Sequence, residues 1–331
     1  MSEAVLRATP GPSDGAENPG ELNVITGPGS GAAEDGRVGG RYRLIEEIGS
    51  GGMGRVWLAD DELLGRQVAV KEITAPPAEL PDTRTLREAR AAARLDHPNV
   101  VKIFDVLWWS RRSWIVMEYV GPRSLHDAVR ADGPLTHREA ARVGLLMLAA
   151  LRAAHAAGVL HRDVKPHNVL LGPGGRVVLT DFGLATEQPE MTVEPVVGSP
   201  YFMAPERLES GRSGPAADLW SLGATLYDAT EGRPPFARPT ATRALLALAT
   251  EDPDPPRRPG PLTPVILDLL AKNPAERPSA ATLEPRLRRI AEGAVGAVRT
   301  ASRIAPPANL GNGWRGRAAV PPPTSRNRFD R

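Results

Sequence analysis

The distribution of apolar positions divides the chain into a first part that predicts strands and a second part that predicts helices. Alternation of apolar and polar residues, which is the period of a strand, predicts strands at Tyr42–Ile48, Arg55–Asp60, Gln67–Ile73, Val100–Leu107 and Trp114–Tyr119. Residue propensity predicts one helix among them, Thr83–Arg94. Later helices are predicted at Ser124–Arg130, Arg138–Ala157, Ala217–Ala229, Ala241–Thr250, Pro264–Ala271 and Ala280–Ile290. The pattern therefore indicates a β-rich part followed by a mainly helical part.

The two ends of the chain lack this periodicity. Residues 1–40 are rich in Gly, Pro, Ser and acidic residues, and we predict a disordered leader, with order beginning at Arg41. Residues 291–331 carry Pro, Gly and Arg, for which a solvated tail is favoured over a nucleic-acid-binding arm. The segment between them, 41–290, is predicted to be one domain.

The composition is that of an ordinary globular protein and excludes several kinds of site. Of 331 residues, 41% are hydrophobic and 24% charged, and the net charge of +2 argues against nucleic-acid binding by the whole molecule. The absence of cysteine excludes disulfides, thiol catalysis and cysteine-ligated metals. No run of about 18 apolar residues is present, and the first residues lack the apolar core of a secretory signal. We therefore expect a cytoplasmic protein that does not bind membranes.

Lysine is rare in this chain. Only Lys71, Lys102, Lys165 and Lys272 stand among 41 basic residues. Where arginine is otherwise preferred, a lysine more often marks a position that needs a compact ammonium than one that needs a planar guanidinium. Lys71 and Lys165 lie where phosphate chemistry would use such a group.

A glycine-rich segment separates the first two predicted strands. It reads Gly49-Ser50-Gly51-Gly52-Met53-Gly54, a G-x-G-x-x-G pattern whose backbone amides can approach a polyphosphate because few side chains intervene. A glycine hairpin without a ligand is the alternative. A dinucleotide-binding fold requires a helix directly after the glycines, whereas Arg55–Asp60 has the pattern of a strand. A hairpin that covers nucleotide phosphates fits this context better.

Lys71 and Glu88 are candidates for one ion pair. Lys71 lies on the third predicted strand and either faces solvent or contacts the α- and β-phosphates of a nucleotide. Glu88 lies in the middle of Thr83–Arg94 and is the best partner for Lys71. Alternatively, Glu88 lies on the helix surface, exposed to solvent, and forms an ion pair with Arg84, four residues before it.

The segment from His161 to Gly183, HRDVKPHNVLLGPGGRVVLTDFG, carries the densest chemistry. Asp163 can accept a hydroxyl proton, and Asn168 and Asp181 can hold Mg²⁺. H-R-D alone could arise by chance, so the interpretation depends on the motifs around it.

These segments together resemble the eukaryotic-type protein kinase family, and within it the bacterial serine/threonine kinases. The motifs in the family's order are GSGGMGRV, VAVK, HRDVKPHN, DFG, SPYFMAPE, DLWSLG and NPAERPS. The resemblance covers about residues 41–290 and implies a two-lobed α+β fold. It places a β-rich N-lobe at 41–117, a hinge at 118–121 and a mainly helical C-lobe at 122–290.

The resemblance implies transfer of the γ-phosphate of ATP to Ser or Thr hydroxyls of protein substrates. Asp163 would be the catalytic base, and Lys165 would neutralise the transferred phosphate. Because tyrosine kinases do not carry a lysine two residues after the base, Lys165 argues for Ser/Thr specificity. The alternative is an inactive pseudokinase that binds ATP as a scaffold, but such a protein would be expected to have lost Lys71, Asp163 or Asp181.

The resemblance also implies the nucleotide and metal sites. Lys71, paired with Glu88, would anchor the phosphates, and Asn168 and Asp181 would bind Mg²⁺, with Mn²⁺ as an expected substitute. The backbone of the hinge would bind the adenine edge, and apolar side chains would sandwich the ring. The residues expected to contact ATP are Ile48, Gly49, Ser50, Gly51, Gly52, Met53, Gly54, Arg55, Val56, Ala69, Lys71, Glu118, Val120 and Leu170.

Two structural contacts follow from the same likeness. Glu206 and Arg277 should form a buried ion pair in the C-lobe, and Asp218 should hold the backbone around His161 and Arg162.

The chain departs from the family pattern at two positions. Ser199 stands where threonine is usual, and Ala92 stands where a larger apolar residue often packs against Phe182. The second departure would loosen the active conformation.

The long irregular segment Leu184–Met203 is expected to be functional, as such loops usually are. Its hydroxyls are Thr186, Thr192 and Ser199. Because Arg162 precedes the base, we predict that autophosphorylation of Thr192, or of Thr186 as second choice, orders this segment through an arginine–phosphate contact. A homodimer that phosphorylates itself in trans is a further expectation.

Overall fold

The computed structural model of the chain describes residues 25–26, 36–51, 54–73, 90–182, 200–211 and 213–293. The strands of its first part are β1 (Ile25–Thr26), β2 (Arg37–Val38), β3 (Tyr42–Gly51), β4 (Gly54–Asp61), β5 (Arg66–Ile73), β6 (Ile103–Trp109) and β7 (Arg112–Glu118). They form one sheet in the spatial order β1-β6-β7-β5-β4-β3-β2. Neighbouring strands are antiparallel except β1 and β6, which are parallel.

The register of the central strands collects the predicted nucleotide-binding side chains on one face. Val56 of β4 is opposite Lys71 of β5, and Ile115 of β7 is opposite Lys71 on the other side. Ala69, two residues before Lys71, is opposite Met117. Because residues two apart on a strand share a face, these five side chains lie on the same side of the sheet.

The other face of the sheet has its own apolar core, and the sheet curls around it. Tyr42 of β3 and Leu107 of β6 are among the buried residues of this core. The Tyr42 hydroxyl donates a hydrogen bond of 3.0 Å to Oδ2 of Asp105, which joins the two strands directly. Gly39 has a φ of +60°, and a Cβ there would lie 3.2 Å from Leu107 Cδ1. The segment before β3 thus closes against β6.

The predicted start of order at Arg41 is too late. β2 pairs with β3 through Arg37 opposite Arg43 and Val38 opposite Tyr42, and Val38 is fully buried. Ile25–Thr26 pairs with Leu107 and Trp108. A single buried valine between glycines carries no periodic signal, so composition assigned this segment to the leader.

The hairpin of β6 and β7 closes more tightly than the sequence predicted. Its two turn residues, Ser110 and Arg111, both have left-handed φ values, 51° and 59°. This is the backbone of a two-residue hairpin turn that usually carries Asn or Gly. Trp114 Nε1 donates to the carbonyl oxygen of Trp109 at 3.1 Å. The strands therefore continue to the turn, although the sequence has no turn signal there.

The second part of the chain is mainly helical, with helices α1 (Leu125–Asp132), α2 (His137–Ala156), α3 (Pro205–Ser210), α4 (Pro215–Glu231), α5 (Ala241–Thr250), α6 (Thr263–Leu269) and α7 (Ala280–Glu292). Three short strands, β8 (Arg123–Ser124), β9 (Val169–Leu171) and β10 (Val177–Leu179), form a sheet in the order β10-β9-β8. Of the predicted helix Thr83–Arg94, residues 90–93 are helical and residues before 90 lie outside the described ranges. The predicted two-lobed α+β fold is confirmed.

The central helices of this part are α2 and α4. A capping box between Thr136 and Glu139 begins α2, as the sequence predicted. In α4, 14 of 17 residues are buried, which is the expected state of a helix that is apolar on all sides. Gly144 lets α2 approach α4, because a Cβ there would lie 3.1 Å from Leu226 Cδ1. The helices α2 and α4 thus form the densely packed core of the second part of the chain.

Asp228 gives this core a pH dependence. Its carboxyl lies on α4, only 8% exposed, and burial raises its pKa to about 6 against an opposing effect of Arg130. The raised pKa contributes stability below about pH 4, and this contribution is lost as the pH rises through 6. Since the shift is from 3.8 to about 6, Asp228→Asn should raise the free energy of unfolding by about 2–3 kcal/mol at pH 8.

Urea denaturation of the Asp228→Asn variant and the parent protein, followed from pH 8 to pH 4, checks this prediction. The stabilisation should shrink towards pH 4, where the parent carboxyl is protonated. A difference that does not vary with pH would contradict the proposed cause. Asp268→Asn, at a half-exposed surface carboxyl, is the control and should change stability little at either pH.

Candidate active site

The segment His161–Asp163 is held by one buried carboxylate. Asp218, near the start of α4, accepts hydrogen bonds of 2.9 Å from the backbone N–H groups of His161 and Arg162. The predicted contact is confirmed. His161 itself is fully buried and its Nε2 is 2.8 Å from the carbonyl oxygen of Thr180. Residues 161–168, called the catalytic segment below, are therefore fixed both to α4 and to Thr180, which directly precedes Asp181.

His155 is a member of this arrangement that the sequence interpretation missed. Its Nε2 lies 2.8 Å from Oδ2 of Asp218. Burial acts to raise the pKa of Asp218, but the hydrogen bonds from His155, His161 and Arg162 hold it below its ordinary value. Asp218 thus remains an acceptor for the backbone. His155 precedes His161 by six residues, and nothing in its local pattern distinguishes it from a helix surface residue.

Asp163, Lys165 and Asn168 are in mutual contact. Lys165 Nζ is 2.7 Å from Oδ2 of Asp163. Asn168 Nδ2 donates to the backbone carbonyl of Asp163 at 2.8 Å and to its Oδ2 at 3.0 Å. Lys165 and Asn168 therefore both fix the orientation of the Asp163 carboxylate through Oδ2. Its other oxygen, Oδ1, has no hydrogen-bond partner among the described residues.

Lys71 and Asp181 form the second charged pair. Lys71 Nζ is 2.8 Å from Oδ1 of Asp181, with the lysine side chain 4% and the aspartate side chain 18% exposed. Burial acts to raise the pKa of Asp181, yet Lys71 keeps it below the ordinary value. Asp181 therefore stays ionised at neutral pH. This contact connects β5 to the residues after β10, and so it brings the two lobes together.

Two residues of the site have left-handed backbone. Arg162 has φ 67° and Asp181 has φ 66°, a region that is uncommon for residues other than glycine. Arg162 is held there by Asp218, and its carbonyl oxygen accepts a hydrogen bond from Arg207. Strained backbone of this kind is common in active sites.

Asn168 and Asp181 supply oxygen donors suited to a divalent cation. The segments that carry them are joined, because the N–H of Thr180 donates to the carbonyl oxygen of Asn168 at 3.0 Å. Mg²⁺ prefers oxygen ligands and is usually bound by one or two protein groups together with substrate phosphates. Among the described residues, no cluster of three or more His, Asp or Glu could hold a metal by itself. The pair therefore fits a cation that shares its coordination with a nucleotide.

The glycine-rich segment lies at the turn between β3 and β4. Ser50 is opposite Arg55 and Gly51 opposite Gly54 across this hairpin. No atom of the described residues lies within 4 Å of the position that a Cβ of Gly51 would take. Ile48, just before the segment, is 37% exposed.

Arg55 is directed away from the cleft. It is opposite Glu72 in the sheet, and its Nη2 lies 2.9 Å from Oε2 of Glu72. Val56 and Lys71 form the next pair and face the other side. The resemblance placed Arg55 among the residues expected to contact ATP, and with its side chain on Glu72 such a contact would be made by its backbone.

Apolar side chains line the place predicted for the adenine ring. Ala69 and Val120 belong to one buried cluster, against which the partly buried Val56 and Leu170 pack. Glu118 and Val120 of the hinge lie beside them. Neither the N–H nor the carbonyl oxygen of Val120 takes part in a hydrogen bond between described residues. This backbone is free to bind the edge of a base.

A small apolar cavity lies behind this place. Its lining includes Ala92, Met117, Asp181 and Phe182. Ala92 and Phe182 are both buried, so the small side chain at position 92 leaves space beside the phenylalanine. The expectation that Ala92 loosens the active conformation stays a prediction, and this cavity is consistent with it.

The comparison with known families is decisive. The protein kinase domain family matches residues 42–285 of the chain. The chain belongs to the protein kinase family.

Bacterial serine/threonine-protein kinases are among the curated relatives of this chain. It is 37% identical over 251 residues to the serine/threonine-protein kinase PrkC of Bacillus subtilis, covering 73% of this chain and 39% of PrkC. It is 38% identical over 295 residues to the serine/threonine-protein kinase PkaA of Streptomyces coelicolor, covering 83% of this chain and 54% of PkaA. The kinase spans about half the length of such relatives. None of its described helices is long and apolar enough to span a membrane.

The predicted ion pair of Glu206 and Arg277 is present in this kinase. Arg277 Nη1 and Nη2 contact the two carboxylate oxygens of Glu206 at 2.7 and 2.8 Å. The Arg277 side chain is 1% exposed and its guanidinium lies 5.0 Å from the centre of the Trp220 ring. The pair fixes α3 to the core of the C-lobe.

Lys272 explains part of the unusual use of lysine. Its Nζ donates to the carbonyl oxygen of Leu248 at 2.5 Å and lies 4.0 Å from the centre of the Phe236 ring. Burial lowers its pKa to about 8. The compact ammonium thus lies between an aromatic ring and a backbone carbonyl near the end of α5.

Several predicted residues of the kinase lie outside the described residues. These are Glu88, the predicted partner of Lys71, and Gly52, Met53, Gly183, Thr186, Thr192 and Ser199.

Proposed function

We propose that this protein is a serine/threonine protein kinase that transfers the γ-phosphate of ATP to hydroxyl groups of proteins. The observation that carries the proposal is the arrangement of Asp163, Lys165 and Asn168 in one hydrogen-bonded group, with the Lys71–Asp181 pair in the same cleft. The family membership and the similarity to bacterial serine/threonine-protein kinases support it. Lys165 favours Ser and Thr as acceptors.

Asp163 acts as the base in the proposed reaction. The acceptor hydroxyl gives its proton to the carboxylate of Asp163 while its oxygen bonds to the γ-phosphorus of ATP, and the bond from that phosphorus to the β–γ bridging oxygen breaks. ADP leaves with the electron pair of that bond. Lys165 and Asn168 hold Asp163 through Oδ2, which leaves Oδ1 for the hydroxyl. Positioning of this kind supplies most of the rate, because the transition state of phosphoryl transfer is loose.

The charged groups of the site suit the phosphates of a nucleoside triphosphate together with a divalent cation. Lys71 would contact the α- and β-phosphates, and Lys165 the γ-phosphate. Asn168 and Asp181 would hold Mg²⁺, or Mn²⁺ in its place, and the cation would neutralise charge that develops on the phosphate oxygens. Hinge atoms of Glu118 and Val120 would bind the adenine edge.

Regulation by phosphorylation is part of the proposal. Thr192 is the preferred site and Thr186 the second, with Arg162 as the partner of the new phosphate. A homodimer would allow phosphorylation in trans. Mapping of phosphopeptides from residues 184–203 after incubation with Mg·ATP is the test, and an active enzyme with an unmodified segment would contradict it.

A radiolabel assay tests the reaction itself. The full chain is incubated with [γ-³²P]ATP, Mg²⁺ and dephosphorylated casein, and the labelled amino acids are identified after hydrolysis. We expect label on serine and threonine, loss of labelling when EDTA removes the metal, and recovery when Mg²⁺ is restored. Label on tyrosine alone, or no label on any protein, would contradict the proposal.

A further inference from the structure

The turn between β9 and β10 lies directly behind the hinge. Gly172 begins this turn and packs against Val120, so that a Cβ there would be 3.1 Å from Val120 Cγ1 and 3.3 Å from its carbonyl oxygen. Arg176 ends the turn, and its guanidinium contacts both carboxylate oxygens of Glu118, with Nη2 3.1 Å from Oε2. The two hinge residues predicted to bind adenine are therefore both supported from the C-lobe.

The same hairpin supports a second connection to the N-lobe. Arg176 Nε donates to the carbonyl oxygen of Pro98 at 3.3 Å, and Asn99 Nδ2 donates to that of Val177 at 2.7 Å. Beyond them, the N–H of Leu179 donates to the carbonyl oxygen of Asn99 at 2.8 Å. Arg176 thus contacts two N-lobe connections that are separate in sequence, the hinge and the segment before β6.

The backbone of Arg176 is itself fixed. Gly172 donates its N–H to the carbonyl oxygen of Arg176 at 2.8 Å, and Val177 continues as β10, opposite Leu171. The guanidinium therefore projects from a short hairpin and not from a free loop. The side chains of Arg176 and Glu118 are 34% and 20% exposed, so solvent screens this charge-assisted contact only in part.

We propose that Arg176 is a positioning residue for the nucleotide, acting through Glu118 on the hinge backbone. This inference rests on the proposed function. Because the hinge is held in place before ATP arrives, binding does not have to order it, and affinity gains from that preorganisation. Arg176 does not touch the reacting atoms. Its loss should therefore weaken ATP binding and leave the chemical step unchanged.

Leu170 of β9 sharpens this expectation. It packs into the cluster predicted to form the adenine site, while Gly172 and Arg176 of the same hairpin hold the hinge. One C-lobe hairpin therefore sets the distance between the apolar surface for the ring and the backbone for its edge. The Arg176 contact adds a charge-assisted link to the packing of Gly172 on Val120 and to the pairing of β8 with β9.

The test compares Arg176→Ala, Glu118→Gln and the double variant with the parent protein. The dissociation constant of ATP is measured at equilibrium with Mg²⁺ and without acceptor, and KM and kcat are measured with acceptor. For each variant we expect the dissociation constant and KM for ATP to rise about 5–10-fold, with kcat within about twofold. The double variant should resemble the single ones, because both remove the same contact.

Arg123→Ala is the matched control. Arg123 pairs with Asp132 at 2.8 Å near the same edge of the C-lobe, and this pair is about as exposed as that of Arg176 and Glu118. Because neither partner belongs to the hinge, its removal should change neither constant by more than about twofold. Arg176→Lys, which keeps the charge but not the bidentate contact, should raise the dissociation constant and KM for ATP by less than Arg176→Ala does. Thermal unfolding is followed for each variant, and if Arg176→Ala does not fold, Glu118→Gln, which keeps the shape of the side chain, decides the question.

The outcomes separate this inference from the proposed function. If the parent protein does not bind ATP, both are overturned. If the parent binds ATP and phosphorylates protein, but Arg176→Ala and Glu118→Gln bind ATP as tightly as it does, the positioning role alone is overturned. A fall in kcat at unchanged ATP affinity would also overturn it.

Discussion

Replacing Asp163 by Asn should lower kcat for phosphate transfer by about 10²–10⁴-fold, the usual contribution of a positioned base. The amide has the shape of the carboxylate and can still accept a hydrogen bond from Lys165 or Asn168, which now contact Oδ2 at 2.7 and 3.0 Å. It cannot take the hydroxyl proton. KM for ATP should stay close to its value in the parent protein, because Asp163 is not expected to contact the nucleotide.

The measurement is the initial rate of transfer from [γ-³²P]ATP, with thermal unfolding recorded on the same samples. Asp268→Asn is the matched control, because its half-exposed carboxyl pairs with Arg286 at the surface and lies on α6, outside the cleft. It should retain the parent rate. Equal labelling by the Asp163→Asn variant and the parent would overturn the assignment of the base.

Arg277→Ala should have the largest effect on stability, a loss of about 3–5 kcal/mol in the free energy of unfolding. The guanidinium, whose side chain is 1% exposed, contacts both oxygens of Glu206 and also donates to the backbone carbonyls of Ala216, Ala271 and Lys272. Removing it leaves a largely buried carboxylate and three carbonyl groups without this donor. Each such group loses a partner that water does not easily replace.

Urea denaturation of Arg277→Ala and of the parent protein measures this loss. Arg286→Ala is the control, since its ion pair with Asp268 is 31% and 50% exposed and should be worth at most about 1 kcal/mol. If Arg277→Ala and Arg286→Ala lower the free energy of unfolding by the same amount, the buried Glu206–Arg277 pair does not contribute much to the stability of the C-lobe.

The catalytic segment could be predicted from the sequence because its chemistry is local. Asp163, Lys165 and Asn168 lie within six residues, so their contacts depend mainly on the short loop that carries them. The Glu206–Arg277 pair is distant in sequence, and only the resemblance to a known family pointed to it. The positions of Lys71 and Asp181 in one cleft likewise required knowledge of the fold.

Contacts that depend on packing angles could not be predicted in this way. His155 reaches Asp218 across 63 positions only because α2 crosses α4 closely, and Arg176 reaches Glu118 across 58 positions. Arg55 shows a related limit. The resemblance placed it among the residues expected to contact ATP, but the register of β4 with β5 sets its side chain on Glu72.

The predicted boundaries of strands and of the ordered part were wrong where the backbone conformation departs from the preferences of its residues. Ser110 and Arg111 form a left-handed turn without Asn or Gly, so the predicted strands stopped short of it. Val38 is buried although its neighbours have the composition of a linker. In both places the surrounding core determines the conformation, and a local pattern carries little information about it.

The attachment of the catalytic segment to Asp218 has a consequence for local opening. A loop held by its own hydrogen bonds can separate from the protein while the rest stays folded. Here the N–H groups of His161 and Arg162 end on a carboxylate of α4, most of which is buried. Exposing these two amides to solvent would leave the buried carboxylate of Asp218 without two of its donors, which is costly. We therefore expect the catalytic segment to open together with the core around α4 and not independently of it.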